Sequence, residues 1–453
     1  TSIVTLYFRA RPSAAFYFVT WNVATKSPDI CSRVKHVKAN LLKIYQFTGG
    51  PMVQIEYDYV RVKTQRLQGL VLNGFCRRKH ITHLRLIEAE YTKTGFGGMW
   101  GNKGAVSIRL NIYGVSVCVV NTHLTPHDHL LADRVLDYNT ILTNHTFSAP
   151  DTSKILYHDY IFWIGDLNFR LNNEQLSAIE IDALVKRNQL KELLEKDQLL
   201  SVMESGEAFA ELIENPVTFP PTYKYEFWSQ EFDLKRRPSW TDRILYKVNA
   251  DVYDDTKLST VQHNYKSHPN YILSDHKPVT AEFDIIVSPA VRPGIEDNEV
   301  EFQPVTAWFI DEENSVSYRL LSDARPASGD WIGLFHNGFS SLDEYLVYEY
   351  VGRGMTDWIV LLQKHSFNVL EMFNSVSGKT SQGSNGSCAI TERIFFSDTA
   401  LRAPGMYCLV YVAQRDGLVG ILGNSYKDIF VLRTRLFNSD FYFVYTFCSL
   451  LAN

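Results

Sequence analysis

The run Tyr160-Ile161-Phe162-Trp163-Ile164 constrains this chain more than any other stretch. Five consecutive apolar residues, β-branched or aromatic, read as a strand buried on both faces. Gly165 ends the run, and Asp166, Leu167, Asn168, Phe169 and Arg170 follow at once. This spacing sets Asp166 and Asn168 side by side at a strand tip above a packed sheet. There a carboxylate can take a proton from water while an amide orients a phosphate. An acid after a strand is also a common turn former or helix cap, so the stretch alone specifies a sheet before it specifies chemistry.

The neighbouring segments repeat the pattern of a strand with a polar tip. Phe16 to Val19 is an apolar strand running into Thr20-Trp21-Asn22, and Asn22 suits a metal, a phosphate or a plain turn. Residues 31–56 differ from their surroundings, with Lys35, Lys38 and Lys43, a Gly49-Gly50-Pro51 breaker and little periodicity. Strand character resumes at Tyr57–Val60 and Leu67–Leu72. Thr94 to Gly104 holds five glycines together with Lys103 and the apolar Phe96, Met99 and Trp100. Such large apolar residues in a glycine-rich loop imply a partner surface rather than a bare linker. Ala105–Leu110 and Val115–Val120 form a predicted hairpin whose second strand ends at His123. Leu131, Val135, Tyr138 and Leu142 recur at helical spacing, and a longer helical region spans Leu176 to Met203.

Charge narrows the ligand. With a net charge of -5 the chain does not adhere to nucleic acid or anionic membrane through bulk charge, so any polyanion must meet a local basic cluster. Lys224 sits in the stiff segment Phe219–Tyr225, and Lys235, Arg236, Arg237 and Arg243 place four cations in nine residues. Arg236 and Arg237 fit a solvated run, whereas Arg243 lies between Trp240 and the apolar Ile244-Leu245-Tyr246. Asp275-His276 precedes a further strand, Val279–Phe283, as an acid/base pair. The 453 residues suit two domains, and the six cysteines are scattered without zinc or disulfide spacing, which fits a reducing compartment. Residues 287–301, with Pro289, Pro293 and Gly294, read as a linker. Beyond it short strands alternate with turns: Val305–Ile310, Ser315–Leu321, Asp330–Phe335, Glu344–Tyr350, Trp358–Leu362, Ile390–Phe396, Gly405–Val412 and Leu418–Leu422. That is the rhythm of a β-sandwich.

Taken in order, Thr20-Trp21-Asn22, Trp100-Gly101-Asn102-Lys103-Gly104, Asn121-Thr122-His123, Gly165-Asp166-Leu167-Asn168-Phe169-Arg170, Pro221-Thr222-Tyr223-Lys224, Trp240-Thr241-Asp242-Arg243 and Ser274-Asp275-His276 resemble the motif set of the inositol polyphosphate 5-phosphatases. Residues 302–435, with Asp330-Trp331-Ile332-Gly333-Leu334, look like a SKICH domain. The pairing is similar to the branch containing the skeletal-muscle- and kidney-enriched and the proline-rich enzymes. The resemblance implies a DNase-I-like four-layer α/β sandwich over residues 16–286, followed by an all-β immunoglobulin-like sandwich. It implies Mg²⁺-assisted attack of water on the 5-phosphate of phosphatidylinositol 4,5-bisphosphate, phosphatidylinositol 3,4,5-trisphosphate or soluble inositol phosphates. Asp166 would align or deprotonate the water. Asn168 and His123 would hold the scissile phosphate, and His276, polarised by Asp275, would steady its developing charge. Asn22 would belong to the metal region. Lys103, Tyr223, Lys224, Lys235 and Arg243 would grip the neighbouring 4-phosphate, and Phe96 and Met99 would meet lipid tails. The resemblance further implies a cytoplasmic protein peripheral at the plasma membrane or endoplasmic reticulum. It implies protein partners for the SKICH-like domain, and neither nucleic acid nor a transmembrane span.

The resemblance fails at one motif. The family's Gly-Leu-Gln-Glu strand, whose Glu is the main Mg²⁺ ligand, has no counterpart. Residues 31–56 stand in its place, and Glu56 in Gln54-Ile55-Glu56 is a weak substitute. Together with the start at Thr1, the unmatched residues 1–15 and the apolar tail 436–453, this suggests an aberrant splice or gene model. The alternative functions are a catalytically impaired phosphoinositide-binding protein and, less consistent with Lys224 and the SKICH-like domain, a nuclease of the same fold.

Overall fold

A computed structural model describes residues 2–7, 13–22, 59–172, 175–254, 256–287, 299–305, 307–321, 326–351, 391–415, 418–425 and 429–432. Glu56, most of the 287–301 linker, the Trp358–Leu362 strand and the 436–453 tail lie outside them. The chain divides into two compact units at Pro293/Gly294.

The first unit packs one sheet on another. One sheet comprises β1 (Ser2–Tyr7), β2 (Ser13–Thr20), β3 (Tyr59–Leu67), β4 (Leu70–Arg77), β10 (Thr260–Ser267) and β11 (Val279–Ile286), in the order β10-β11-β2-β1-β4-β3. The other comprises β5 (Leu84–Thr94), β6 (Trp100–Ile112), β7 (Val115–His123), β8 (Tyr160–Asp166) and β9 (Asp242–Val248), paired in sequence order. Every residue of β8 is buried. Its pleat sends Phe162 toward the first sheet, 4.5 Å from Phe18 and 4.9 Å from Phe283 between ring centroids. Trp163 goes the other way, 5.1 Å from Tyr138 on α1 (Leu131–Asn144) and 5.3 Å from Phe209. Both faces of the strand are thus committed to cores, and its polar tip, Asp166, is itself buried at the end of the sheet.

Three findings differ from the sequence reading. Leu67–Leu72 is not one strand, because Gln68 with φ 46° turns the chain between β3 and β4. The region Leu176–Met203 is three helices, α2 (Ala178–Lys186), α3 (Leu190–Leu194) and α4 (Gln198–Ser205). A Ser177–Glu180 capping box starts the first, and the Asp197 side chain caps the third. The N-terminal residues are also part of the sheet. β1 lies between β2 and β4, antiparallel to the former and parallel to the latter, with Ser2 opposite Thr20 and Leu72.

The second unit is all β. β12 (Val300–Phe302), β14 (Asn314–Leu320) and β17 (Thr391–Phe396) form one sheet. In the other, β18 (Gly405–Arg415) pairs with β15 (Trp331–His336), β19 (Leu418–Asn424) and β20 (Ile429–Leu432), while β16 (Tyr345–Tyr350) adds to β15 and β13 (Trp308–Phe309) to β20. Trp308, Tyr318, Leu334, Phe396, Leu409 and Tyr411 share its core. The buried Asp330 accepts from Tyr411 Oη at 3.0 Å and from the backbone N–H of Gln414 and Ala327 at 3.1 Å each.

Candidate active site

Strand register, rather than proximity in sequence, assembles the site. Gly104, His123, Asp166 and Asp242 are consecutive partners across β6, β7, β8 and β9, so four strand tips form one line. Lys103 precedes the first of them. In the facing sheet Thr20 pairs with Val279, which brings Asn22 beside the Ser274–His276 turn. Trp21 Nε1 donates to the His276 carbonyl at 3.0 Å, and Ser274 Oγ donates to the Asn22 carbonyl at 2.6 Å. Gly165 carries φ 137°, and a Cβ there would lie 2.0 Å from the Thr122 carbonyl oxygen, so only glycine admits this register next to Asp166.

Asp166 is the focus. Asn22 Nδ2 donates to its Oδ2 at 2.8 Å and the Asn168 N–H to its Oδ1 at 3.1 Å. His123 Nε2 lies 3.3 Å and His276 Nε2 3.9 Å from Oδ2. Burial pushes this carboxyl up, but His123, His276 and Lys103 together with the Asn22 hydrogen bond outweigh it and hold it down at about 2. Asp166 is therefore a carboxylate at neutral pH.

The two imidazoles are held in different states. Burial lowers His123 to about 3. Lys103 Nζ, a donor only, lies 2.6 Å from His123 Nε2, which therefore accepts. Burial likewise lowers Lys103, with Asp166 opposing. At His276 the burial effect is overcome by Asp242 and then Asp166, and its pKa is raised. His276 Nδ1 donates to Asp242 Oδ2 at 2.8 Å. Thr222 Oγ1 and Thr241 Oγ1 donate to the same oxygen at 2.8 Å each.

This corrects the partner expected for His276. Asp275 accepts from Ser274 Oγ at 3.4 Å and ranks last among the charges acting on the ring, whereas the completely buried Asp242 holds the imidazole directly. Strand alternation across Asp242-Arg243-Ile244 was the signal available in the sequence. It also corrects Arg243, expected to grip phosphate. That side chain is fully buried on the opposite face, with Nη1 3.0 Å from Asp197 and Nε 2.7 Å from Glu214. Arg237 is similarly engaged rather than solvated, donating to Asp128 at 3.0 Å and to the Leu171 carbonyl at 2.8 Å.

The other expected residues lie around the same tip line. Asn168, at φ 56°, donates to the Leu124 carbonyl at 2.9 Å and accepts from Arg170 at 2.6 Å, which fixes its amide. Arg170, which the sequence reading left without a role, stacks on Tyr223 at 4.5 Å, and Tyr223 lies 4.5 Å from the His276 ring. Tyr223 pairs with both Ser239 and His276, and Tyr225 with Phe232, so residues 223–239 project as a hairpin from the site. Lys224 pairs with Asp233 at 2.8 Å, which raises its pKa, and Lys235 is exposed on the same hairpin. Phe96, Met99 and Trp100 are 71%, 64% and 63% exposed on the turn that precedes Lys103.

A hard cation such as Mg²⁺ takes oxygen ligands, commonly one or two carboxylates completed by waters and substrate phosphate. Asp166 and Asn22 offer oxygens at the rim of a polar pocket lined also by Thr20, Trp21, Gly69, Leu70, Asn121, Thr122 and His123. Asp166, Asp242 and His276 form a cluster of ligand type, but the His276 proton already joins that ring to Asp242. Among the described lining residues Asp166 is the single carboxylate, so the set fits a cation in part.

Two packed sheets with polar strand tips gathered along one rim define a DNase-I-like α/β sandwich. Residues 19–282 match the endonuclease/exonuclease/phosphatase family 2, and residues 300–356 match the SKICH domain. Inositol polyphosphate 5-phosphatase K of Mus musculus is 34% identical over 313 residues, 66% of this chain and 66% of that protein. Phosphatidylinositol 4,5-bisphosphate 5-phosphatase A of Mus musculus is 37% identical over 302 residues, 64% of this chain and 30% of that protein. The crystal structure of the inositol polyphosphate 5-phosphatase domain of SPsynaptojanin, in complex with inositol (1,4)-bisphosphate and calcium ion, aligns with a TM-score of 0.50 at 28% identity. It covers 63% of this chain and 85% of that one. The chain belongs to the endonuclease/exonuclease/phosphatase family 2, in the inositol polyphosphate 5-phosphatase branch that carries a SKICH domain. It spans 66% and 30% of the length of these two curated relatives.

Proposed function

We propose that the chain hydrolyses the 5-phosphate of phosphoinositides and inositol phosphates. The observation that carries this reading is the tip line Lys103, His123, Asp166, Asp242–His276, where cations and an ionised carboxylate converge on one rim. Hydrolysis of a phosphomonoester needs a positioned water and neutralisation of charge on the phosphoryl oxygens. Asp166, held ionised, orients the water by accepting its hydrogen bond. His276, charged against Asp242, donates to a phosphoryl oxygen, and neutral His123 with Lys103 and the Asn168 amide holds the group in line. A bound divalent cation such as Mg²⁺, held by Asp166 and Asn22, would supply further charge neutralisation. Tyr223, Lys224 and Lys235 form the side of the mouth that meets a neighbouring phosphate. Phe96, Met99 and Trp100 meet the acyl region of a bilayer, placing the protein at the cytoplasmic surface of a membrane, and the SKICH domain supplies contacts to protein partners. Among the described residues no helix is long and apolar enough to cross a membrane.

The test is phosphate release from phosphatidylinositol 4,5-bisphosphate vesicles and from inositol 1,4,5-trisphosphate, with and without Mg²⁺, beside Asp166→Ala. Release that Asp166→Ala abolishes supports hydrolysis. Binding of either ligand without release would leave a phosphoinositide-binding protein, a reading that Asp166 as the single carboxylate among the described lining residues favours.

A further inference from the structure

The cationic hairpin and the line of strand tips come from separate segments, so the gap between them depends on what ties one to the other. The first arm of the hairpin is held through its backbone. Tyr223 bridges His276, the Tyr225 N–H donates to the Asp275 carbonyl at 2.9 Å, and the Lys277 N–H donates to the Thr222 carbonyl at 2.9 Å. The second arm, ending at Ser239, governs both lysines. Lys235 lies on it, and Lys224 is tied to it by the 2.8 Å ion pair with Asp233 and by the Asp233 N–H, which donates to the Lys224 carbonyl at 2.8 Å. From this arm the Arg237 side chain reaches away from the hairpin. Its Nε donates to Asp128 in the loop after β7 at 3.0 Å, and its Nη2 donates to the Leu171 carbonyl in the loop after β8 at 2.8 Å. Those two loops follow His123 and Asp166.

Both anchors are themselves fixed. The Asp128 carbonyl accepts from Arg134 Nη2 and Gln198 Nε2 at 3.3 Å each, and Arg134 Nη1 donates to the His127 carbonyl at 2.6 Å. Gln198 Oε1 accepts from Arg134 Nη2 at 2.7 Å and from the Arg170 N–H at 2.9 Å, and Leu171 bridges Asp197. Arg134 and Gln198 are buried. Arg237 therefore grips framework on the His123 and Asn168 side of the site, and its planar fork serves two acceptors at once, which a lysine ammonium does not. We propose that Arg237 and Asp128 are positioning residues. Their pair holds the Lys224 and Lys235 hairpin at a set distance from the tip line, and so sets how well the site distinguishes an inositol phosphate with a second phosphate beside the scissile one from a ligand without it. This inference rests on the phosphate-binding reading above. Asp128 makes the idea testable by sign. By charge alone, removing an acid favours an anionic ligand. By positioning, removing it frees the hairpin and weakens the ligand that spans both halves of the site.

The experiment is calorimetry of the full chain with inositol 1,4,5-trisphosphate and with inositol 1,5-bisphosphate, in EDTA and again with Ca²⁺. It compares the unaltered chain with Asp128→Ala, Arg237→Met and the double variant. The Asp128 side chain is 37% exposed, so Asp128→Ala keeps the fold, and the Tm of each variant checks this. Each single variant should bind the trisphosphate about five- to tenfold more weakly and the bisphosphate within about twofold of the unaltered chain, and the double variant should be no weaker than Arg237→Met, because the pair acts as a unit. Unchanged or tighter trisphosphate binding by Asp128→Ala would overturn the proposal; a loss confined to Arg237→Met would then make Arg237 a direct phosphate ligand. Equal losses for the two ligands would also overturn it, leaving the pair a plain structural contact and sparing the phosphate-binding reading. Binding of neither ligand by the unaltered chain under either condition would remove both.

Discussion

Arg243 gives the sharpest separation between what the motif suggests and what the fold does. Its guanidinium lies 3.0 Å from both Asp197 oxygens and 2.7 Å from Glu214, also reaches the second Glu214 oxygen, and is fully buried. Burial opposes its charge, but the two carboxylates prevail and hold its pKa well above the ordinary value. Tyr265 Oη donates to Glu214 at 2.6 Å, and Asp197 accepts from the Leu200 N–H at 3.1 Å as the cap of α4. Arg243→Met keeps most of the volume and removes the charge, leaving two buried carboxylates facing each other. Breaking a buried ion pair from one side costs roughly 3–5 kcal/mol. At about 2–4 °C per kcal/mol for a domain of this size, Tm should fall by roughly 6–20 °C. The deficit should shrink as pH is lowered, because the Asp197 carboxyl is already pushed up by burial and takes a proton more readily once Arg243 is gone. Differential scanning calorimetry at pH 7.5 and 5 measures both effects. Variant protein that keeps its Tm but binds inositol phosphates more weakly would refute the structural assignment and restore Arg243 as a ligand-binding group.

Other outcomes follow from the site geometry. Asp242→Asn removes the largest charge holding His276 protonated, so the imidazole pKa should fall; ¹⁵N chemical shifts of that ring through a pH titration report it, and an unmoved titration would refute the pairing. Because the folded Asp166 carboxyl is held near 2, its stabilisation is present above the ordinary 3.8 and is lost as pH falls toward 2; Asp166→Asn should flatten that acid limb of Tm against pH. His276 has the opposite sign: its raised pKa stabilises fully below about 6.5 and fades as pH rises through the folded value, which Asp242→Asn should abolish on the alkaline side. Gly165→Ala drives a methyl to 2.0 Å from a carbonyl oxygen at a φ of 137°, and should cost on the order of 3 kcal/mol in urea unfolding; an unshifted midpoint would show that the tips can separate freely. Replacing Phe96 and Trp100 together by Ser should weaken sedimentation with phosphatidylinositol 4,5-bisphosphate vesicles while leaving affinity for soluble inositol 1,4,5-trisphosphate within about twofold, since both rings are exposed and outside the charged rim.

Periodicity determined a good deal here. The apolar run ending in Gly165-Asp166, the hairpin ending at His123 and the strand after His276 appear where short apolar runs placed them, since each is a strand buried along most of its length. The glycine-rich turn was legible for the same kind of reason, because large apolar side chains in such a segment imply exposure with a purpose. Partner choice was not legible. Asp242 and Arg243 are adjacent in one motif, yet the pleat sends the first to His276 and the second to Asp197 and Glu214, from opposite faces of β9. Asp275, adjacent to His276 in sequence, yields to Asp242, which is 34 residues away in the chain. Nor could the sequence show that residues 2–7 enter the sheet between β2 and β4. Strand-forming character is a local property of side chains, whereas the neighbour a strand receives, and the direction in which it runs, depend on which edge the rest of the sheet leaves open.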